Sequence, residues 1–490
     1  MQQHIIYKQT VTIDVPLSME PRRLQDAVSR LFQTDMMAAI ENIMDQTATE
    51  GQTLRIEKME LDIGTVSSKN FEQHFKTELL KHFSETLSQI KDTASQPAGK
   101  NAVILDHVQS MMEQLCYFLD HGRIPWHATV RSFAQWEKKI IDTLSGNDWQ
   151  YLIEWIRDNG QKRITERLAH QFSPVFLIRI LNTAMPEYGE WQSLIGGLIH
   201  LKNSISLSGS SVPDTLLWQK TLEIILLDKI DLAGGGTQIK QPAEYKIAYK
   251  IIYSLFNNRQ VTAIQKTGKK NISQGLLQVL ENVLETYQNS TEIIPVQREK
   301  NINDLKKDIK TGKKKINENL FAGEGSIFIV HCGMILLHPF LQNYFTELGL
   351  YDGKAFTSTD NHKRAVLLLY YLSTGESNAA EFDLVLHKII CGLPVDEPLP
   401  ASIELTEKEM EESEELLASI CKHWPPLKNT SIEGLRSAFF QREGKLVFAD
   451  NSWRLRVEQK TIDILLDKLP WGFSTIRLPW MKEILHVDWC

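Results

Sequence analysis

The sequence predicts an α+β fold that is predominantly helical. Apolar residues recur at helical spacing through most of the 490 residues. Period-two alternation appears near both ends, over 4–15, 54–66 and the stretch after 444. Finally, 26 Gly and 17 Pro cut the chain into short pieces. The longest stretch free of both is 65–96, about 48 Å if wound as one helix. A single continuous helix is excluded, and 11 Trp exclude wholesale disorder.

Taken in order, residues 1–92 read as an N-terminal β-α-β-α unit. In 4–15, Ile5, Tyr7, Val11, Ile13 and Val15 share one face of a half-buried strand. A helix opens at a Ser18 cap, tolerates Pro21 in its first turn, and carries the stripe Leu24, Val28, Leu31, Phe32, Met36, Ala39, Ile43. A second strand over 54–66 changes phase between Ile56 and Met59, so a bulge near Lys58 is expected. The next helix aligns Phe71, Phe75, Leu79, Phe83, Leu87 and Ile90.

Residues 91–101 resemble a linker, and 102–290 a helical middle region without a fixed repeat. Expected helices there include Val103 to Leu119, Trp149 to Arg157 and Leu216 to Leu227, with a loop at Gly234–Gly236. Residues 291–320 form a basic flexible linker, with eight basic and three acidic residues between Arg298 and Lys315. Residues 321–490 form a C-terminal α+β unit. It has a strand at Ser326 to Val330, helices through 339–348, 361–373 and 381–391, and a Thr406/Glu409 capping box. A hairpin turns at Asp450-Asn451, a short helix occupies 461–468, and strands occupy 473–478 and 484–489. Trp453, Trp471, Trp480 and Trp489 mark this end as tightly packed or partner-facing.

Net charge is -7, unlike the strongly basic domains that bind nucleic acid in bulk. Five scattered Cys suit a reducing compartment rather than a disulfide scaffold. The first 15 residues lack the apolar core of a signal peptide. The longest apolar block, 327–341, is interrupted by two His and falls short of the ~20 residues that span a bilayer. The expectation is a cytoplasmic protein that touches neither membrane nor nucleic acid.

The search for chemistry is mostly negative. Gly234–Gly236 lacks a following Lys-Ser/Thr, and Gly323-Glu-Gly325 lacks the third dinucleotide-binding glycine. Neither a nucleophile elbow nor a metalloprotease motif occurs. Three His/Cys pairs deserve weighing: His331-Cys332, His387 with Cys391, and Cys421 with His423. A spacing of four puts His387 and Cys391 on one helical face, where a soft metal needs four convergent ligands. The spacings match no zinc-finger pattern, and Cys and His are commonly buried inertly. A Cys391–His387 nucleophile pair is disfavoured because an apolar helix raises the thiol pKa. Glu404 to Glu415 carries seven acids and one Lys, which reads as the solvated face of a capped helix. No catalytic, cofactor-binding or metal residue is therefore assigned, and no cofactor is expected.

Two groups of segments resemble a known family. One comprises HIIYKQTVTIDVP (4–16) and LRIEKMELDIGTV (54–66). The other comprises GMILLHPFL (333–341), RAVLLLYYLSTGE (364–376), KIICGLPVDEPLP (388–400), WPPLKNTSIEGLRSAFFQREGKL (424–446) and LPWGFSTIRLPWMKEILHVDW (469–489). Together they resemble the contractile injection system tape measure proteins, found in bacterial phage-tail-like particles of the antifeeding-prophage and Photorhabdus-virulence-cassette type. The C-terminal likeness spans nearly all of 326–490, the N-terminal one about 65 residues, and 100–320 carries no recognised motif. Pro339, Gly392, Leu393, Pro394, Asn429, Thr430, Trp471 and Gly472 match motif positions, where Pro and Gly shape backbone and Trp packs. Asn-Ala-Gly usually stands where this chain has His331-Cys332-Gly333, which weakens any metal role. The resemblance implies a non-enzymatic assembly protein that helps set tube and sheath length. Its implied partners are tube, baseplate or spike proteins, and several copies can act per particle. The competing expectation is a globular assembly chaperone or scaffold for the same particle.

Overall fold

The computed structural model describes residues 4–6, 8–15, 21–67, 69–94, 102–128, 130–206, 213–228, 243–256, 261–262 and 326–489. These fall into two compact units. The first holds the described residues up to Gln114 with Trp126, His127 and Ala128, and the second holds the rest. The expected Ser18 cap, the Gly234–Gly236 loop and the 291–320 linker lie outside the described residues.

In the first unit, α1 (Pro21–Leu31) and α2 (Met37–Thr47) are joined by a π-type turn over Phe32–Met36. The turn's extra residue rotates the apolar stripe. Val28, Leu31 and Met36 are buried with Phe75, but further on Ile40 goes in, beside Phe83 and Leu87. The expected Ala39 and Ile43 are only half-buried. Strand β1 (Gln52–Ile56) precedes α3 (Phe71–Ala94), whose Phe75, Phe83 and Leu87 face the two clusters as the spacing required.

The strand expectations here need correction. Residues 4–6 and 8–15 join no sheet, and Ile5, Ile6, Val11 and Ile13 are exposed. The ladder partner of β1 is instead β2 (Ala102–Asp106), antiparallel with Gln52 opposite Asp106 and Ile56 opposite Ala102. Strand pairing ends at Ile56, so the Lys58 bulge does not arise. Met59 and Leu61 nevertheless pack on the Ile40 cluster, and Ile63 on the Val28 cluster. Their parity was set by burial without a ladder. The expected helix from Val103 begins only at α4 (His107–His121). Asp106 caps it, accepting from the Gln109 amide at 2.7 Å while Gln109 accepts from Asp106 N–H at 3.1 Å.

The second unit starts with the end of α4. Then come α5 (Phe133–Thr143), α6 (Gly146–Asn159), α7 (Lys162–Gln171), α8 (Pro174–Ala184), α9 (Trp191–Ser206), α10 (Asp214–Leu222) and α11 (Ala243–Leu255). Ser132 and Ser173 cap α5 and α8 through their hydroxyls, and Pro174 occupies the first turn of α8. Trp149, Leu152, Ile153 and Ile156 of α6 are fully buried.

After β3 (Ser326–Ile329) the same unit builds a dense α+β core. Its helices are α12 (His338–Glu347), α13 (Thr359–Thr374), α14 (Val385–Cys391), α15 (Glu407–His423) and the single turn α16 (Ile432–Leu435). The strands are β4 (Gly444–Ala449), β5 (Ser452–Val457), β6 (Thr475–Ile476) and β7 (Ile484–Asp488), ordered β3-β4-β5-β7-β6. Only β5 and β7 run parallel. Leu446, Leu455 and Leu485 share the covered face, and α13 is buried along Ala365–Leu369. The hairpin forms at the expected turn, with Asp450 and Asn451 at φ 53° and 56°, the pair of left-handed residues a type I′ turn needs. The capping box at Thr406 and Glu409 is present. Gly392 ends α14 at φ 75°, against the Trp480 carbonyl, where a Cβ has no room.

Candidate functional site

Among the described residues, the strongest concentration of buried polar chemistry joins the middle helices to the C-terminal core. On α7, Arg163, Glu166, Arg167 and His170 project at three- and four-residue intervals. Arg167 is fully buried. It makes a forked ion pair with Glu381, from Nε at 2.9 Å and from Nη2 at 3.1 Å, and donates to the carbonyls of Leu119 and Asp396. Lys388, also fully buried, reaches the same Glu381 carboxylate at 2.7 Å and the Val395 carbonyl at 2.9 Å. Gln171 accepts from the Glu381 amide at 3.0 Å and donates to the Leu399 carbonyl at 2.8 Å.

Two flanking clamps surround this centre. Arg163 bridges Asp120, at 2.6 Å, and Asp396. Lys363 bridges Glu166 and Glu397, each at 2.8 Å. Burial alone would raise Glu166, but hydrogen bonds from His170 and Lys363 with the Lys363 charge hold it at about 2. Burial lowers Lys388, against the pull of Glu381. An aromatic cluster backs the charges: Phe118 lies 5.7 Å from Phe133, 5.6 Å from Trp136 and 6.2 Å from Phe382 between ring centres. The cluster brings side chains more than 200 residues apart into one hydrogen-bonded set. Arg167, Glu381, Lys388 and Gln171 bond one another and nearby carbonyls, so the arrangement can fasten α7 to the C-terminal core.

Sequence reasoning missed this set. A usable signal existed in 384–391, a run apolar but for His387 and Lys388, which forms a short helix closed by Gly392. A lysine in such a buried helix calls for an internal partner.

The His/Cys residues resolve differently. His331 meets both Tyr370 and His387 edge to face, with the two imidazole centres 5.9 Å apart, and Tyr370 is tilted against His387. Ser373 lies 3.2 Å from His387 Nε2 and donates to the Leu369 and Tyr370 carbonyls. Burial holds His331 at about 4 and His387 well below the ordinary range, so both are neutral at pH 7. Burial also pushes the thiols of Cys332 and Cys391 far up. Among the described residues no three His, Cys, Asp or Glu side chains converge as a metal site. Cys421 and His423 lie at the end of α15, where His423 bonds its own helix at the Ser419 carbonyl. Gly333, beside this group, faces the Phe439 carbonyl so closely that no Cβ fits.

The tryptophans at the C-terminal end are packed inward. The indoles of Trp471, Trp480 and Trp489 donate to Leu336 O at 3.1 Å, Ile390 O at 2.8 Å and Asp463 Oδ2 at 3.2 Å. Trp453 instead packs tilted against exposed Phe448, 4.8 Å between centres. The acidic stretch is a partly solvated helix face, with Glu409 drawn inward to Arg364.

Of the segments singled out in sequence, 54–66 begins in β1 of the first unit, and those after 333 build α12–α14, the hairpin and the terminal strands of the second. The contractile injection system tape measure protein family matches over residues 3–489, nearly the whole chain. The chain belongs to that family. No curated protein and no solved structure matches it. As a tape measure family member it is associated with an injection particle, and the family is structural rather than enzymatic. Among the described residues no helix is long and apolar enough to cross a membrane.

Proposed function

We propose that this tape measure family protein helps set the length of the tube and sheath during cytoplasmic assembly of a contractile injection particle. The observation that carries this is the family match along 3–489, which includes the middle region as well as both ends. The N-terminal unit (1–92) and the Trp-rich C-terminal unit (321–490) act as docking ends for tube, baseplate or spike proteins. The middle (102–290) and the basic stretch 291–320 set reach. Fully stretched, the chain spans roughly 1,600–1,800 Å at ~3.3–3.6 Å per residue.

A second reading is favoured by one specific observation. Arg167 of the middle region is held by Glu381 with both side chains fully buried. Stretching the chain through α7 would expose these charges and tear the core they belong to. On this reading the protein is a globular assembly chaperone or scaffold, and length is set by something it binds.

Particles from cells carrying deletions and tandem duplications within 185–290, outside the ion cluster, distinguish the two by electron microscopy. Tube length changing in proportion to the residues removed or added supports the ruler. Unchanged length with fewer particles overturns it in favour of the chaperone.

A further inference from the structure

Residues 8–14 (KQTVTID) form an unusual stretch of surface. All seven are exposed, although Val11 and Ile13 are apolar and β-branched, and the stretch joins no sheet. It is anchored upstream, where His4 Nε2 meets Asp45 Oδ1 of α2 at 2.7 Å. Thr10, Val11, Thr12 and Ile13 favour strands strongly. A strand-forming segment without a ladder has unpaired backbone groups that template addition of another chain.

The charge pattern selects the partner. Lys8 and Asp14 are the only charged residues between 5 and 15. They are placed symmetrically about Val11. An antiparallel pairing of this segment with itself, Val11 opposite Val11, sets Lys8 of each copy against Asp14 of the other. Thr10 then faces Thr12, and Gln9 faces Ile13. A shift that centres on Lys8 or Asp14 puts like charges together, and so does the parallel in-register arrangement. Opposite charges and threonine pairs across a ladder are favourable and like charges are not. We propose that residues 8–14 dimerise the protein by forming a two-stranded antiparallel ribbon with a second copy of this chain. The interface is isologous, as closed two-fold symmetry requires. A lone two-stranded ribbon is marginal in water, so the dimer is a weak one that several copies on one particle would reinforce.

Sedimentation of the full-length protein up to about 200 µM is the test. The wild type is expected to self-associate. Lys8→Asp and Asp14→Lys each convert two attractive pairs to repulsive ones, weakening the dimer about tenfold. The double variant Lys8→Asp/Asp14→Lys restores it, because the pairs are re-formed with signs exchanged. The register is read separately by cross-linking in a Cys490→Ser background, since the other four thiols are buried. Val11→Cys is expected to form an intermolecular disulfide readily, and Ile6→Cys, offset from its own symmetry mate, is not. A monomeric wild type, a double swap that fails to rescue, or equal cross-linking at 6 and 11 would each overturn the proposal.

Discussion

At the scale of single residues, burial decides which ionisable groups carry charge. His127 shows this in the first unit. Its Nε2 lies 2.7 Å from an Nη2 of Arg55, which also grips Glu113 through two hydrogen bonds of 2.6 and 2.8 Å. The imidazole must be neutral to accept from a guanidinium. Burial, then the Arg55 charge, holds its pKa at about 4, against 6.5 for a free histidine. The unfolded chain therefore binds a proton at this residue between pH 6.5 and 4 and the folded chain does not. Stability contributed here is complete above about pH 6.5 and falls as pH drops toward 4, by up to ~1.4 kcal/mol per pH unit. Denaturant titrations at pH 7.5 and 5 should show a loss of N-terminal unit stability that His127→Gln reduces. An equal pH response in wild type and variant would mean that His127 does not titrate as the geometry requires.

At the scale of elements, what the sequence revealed was whatever depends on neighbours along the chain. The Thr406–Glu409 box, the Gly392 stop and the Asp450-Asn451 turn each follow from local chemistry and stand where the spacing put them. The failures are all non-local or depend on a single inserted residue. Residues 4–15 alternate as a strand should, yet 4–6 and 8–15 join no sheet, whereas β2 hides in a four-residue apolar run that reads equally as the start of α4. The π-type turn at Phe32–Met36 leaves no sequence mark, yet it decides that Ile40 is buried. For the same reason Arg167 could not be named as the partner of Glu381, although buried Lys388 called for one: the pair is 214 residues apart. A direct test of the local class is Asn451→Val. A β-branched residue at φ 56° costs about 1–2 kcal/mol. The urea midpoint of the second unit should fall accordingly, while Asn451→Gly leaves it unchanged or higher.

At the scale of the whole molecule, the middle helices and the C-terminal core of the second unit share one interior. Removing α7 would leave Glu381 and Lys388 buried with Lys388 as the sole remaining ionic partner of the carboxylate. Breaking a buried pair from one side typically costs about 3–5 kcal/mol. Local opening of α7 is therefore penalised nearly as heavily as opening the core, and α7 and α14 should behave as one cooperative unit. Native-state hydrogen exchange checks this: interior amides of Lys162–Gln171 and Val385–Cys391 should share an opening free energy. In Glu381→Gln both helices should lose protection together, because the forked acceptor of Arg167 and the counter-charge of Lys388 vanish in one substitution. If α7 instead exchanges orders of magnitude faster while α14 stays protected, the middle region peels away without disturbing the core. That outcome would restore the stretched chain as a workable ruler. Coupled exchange would confine any measuring extension to segments outside the ion cluster.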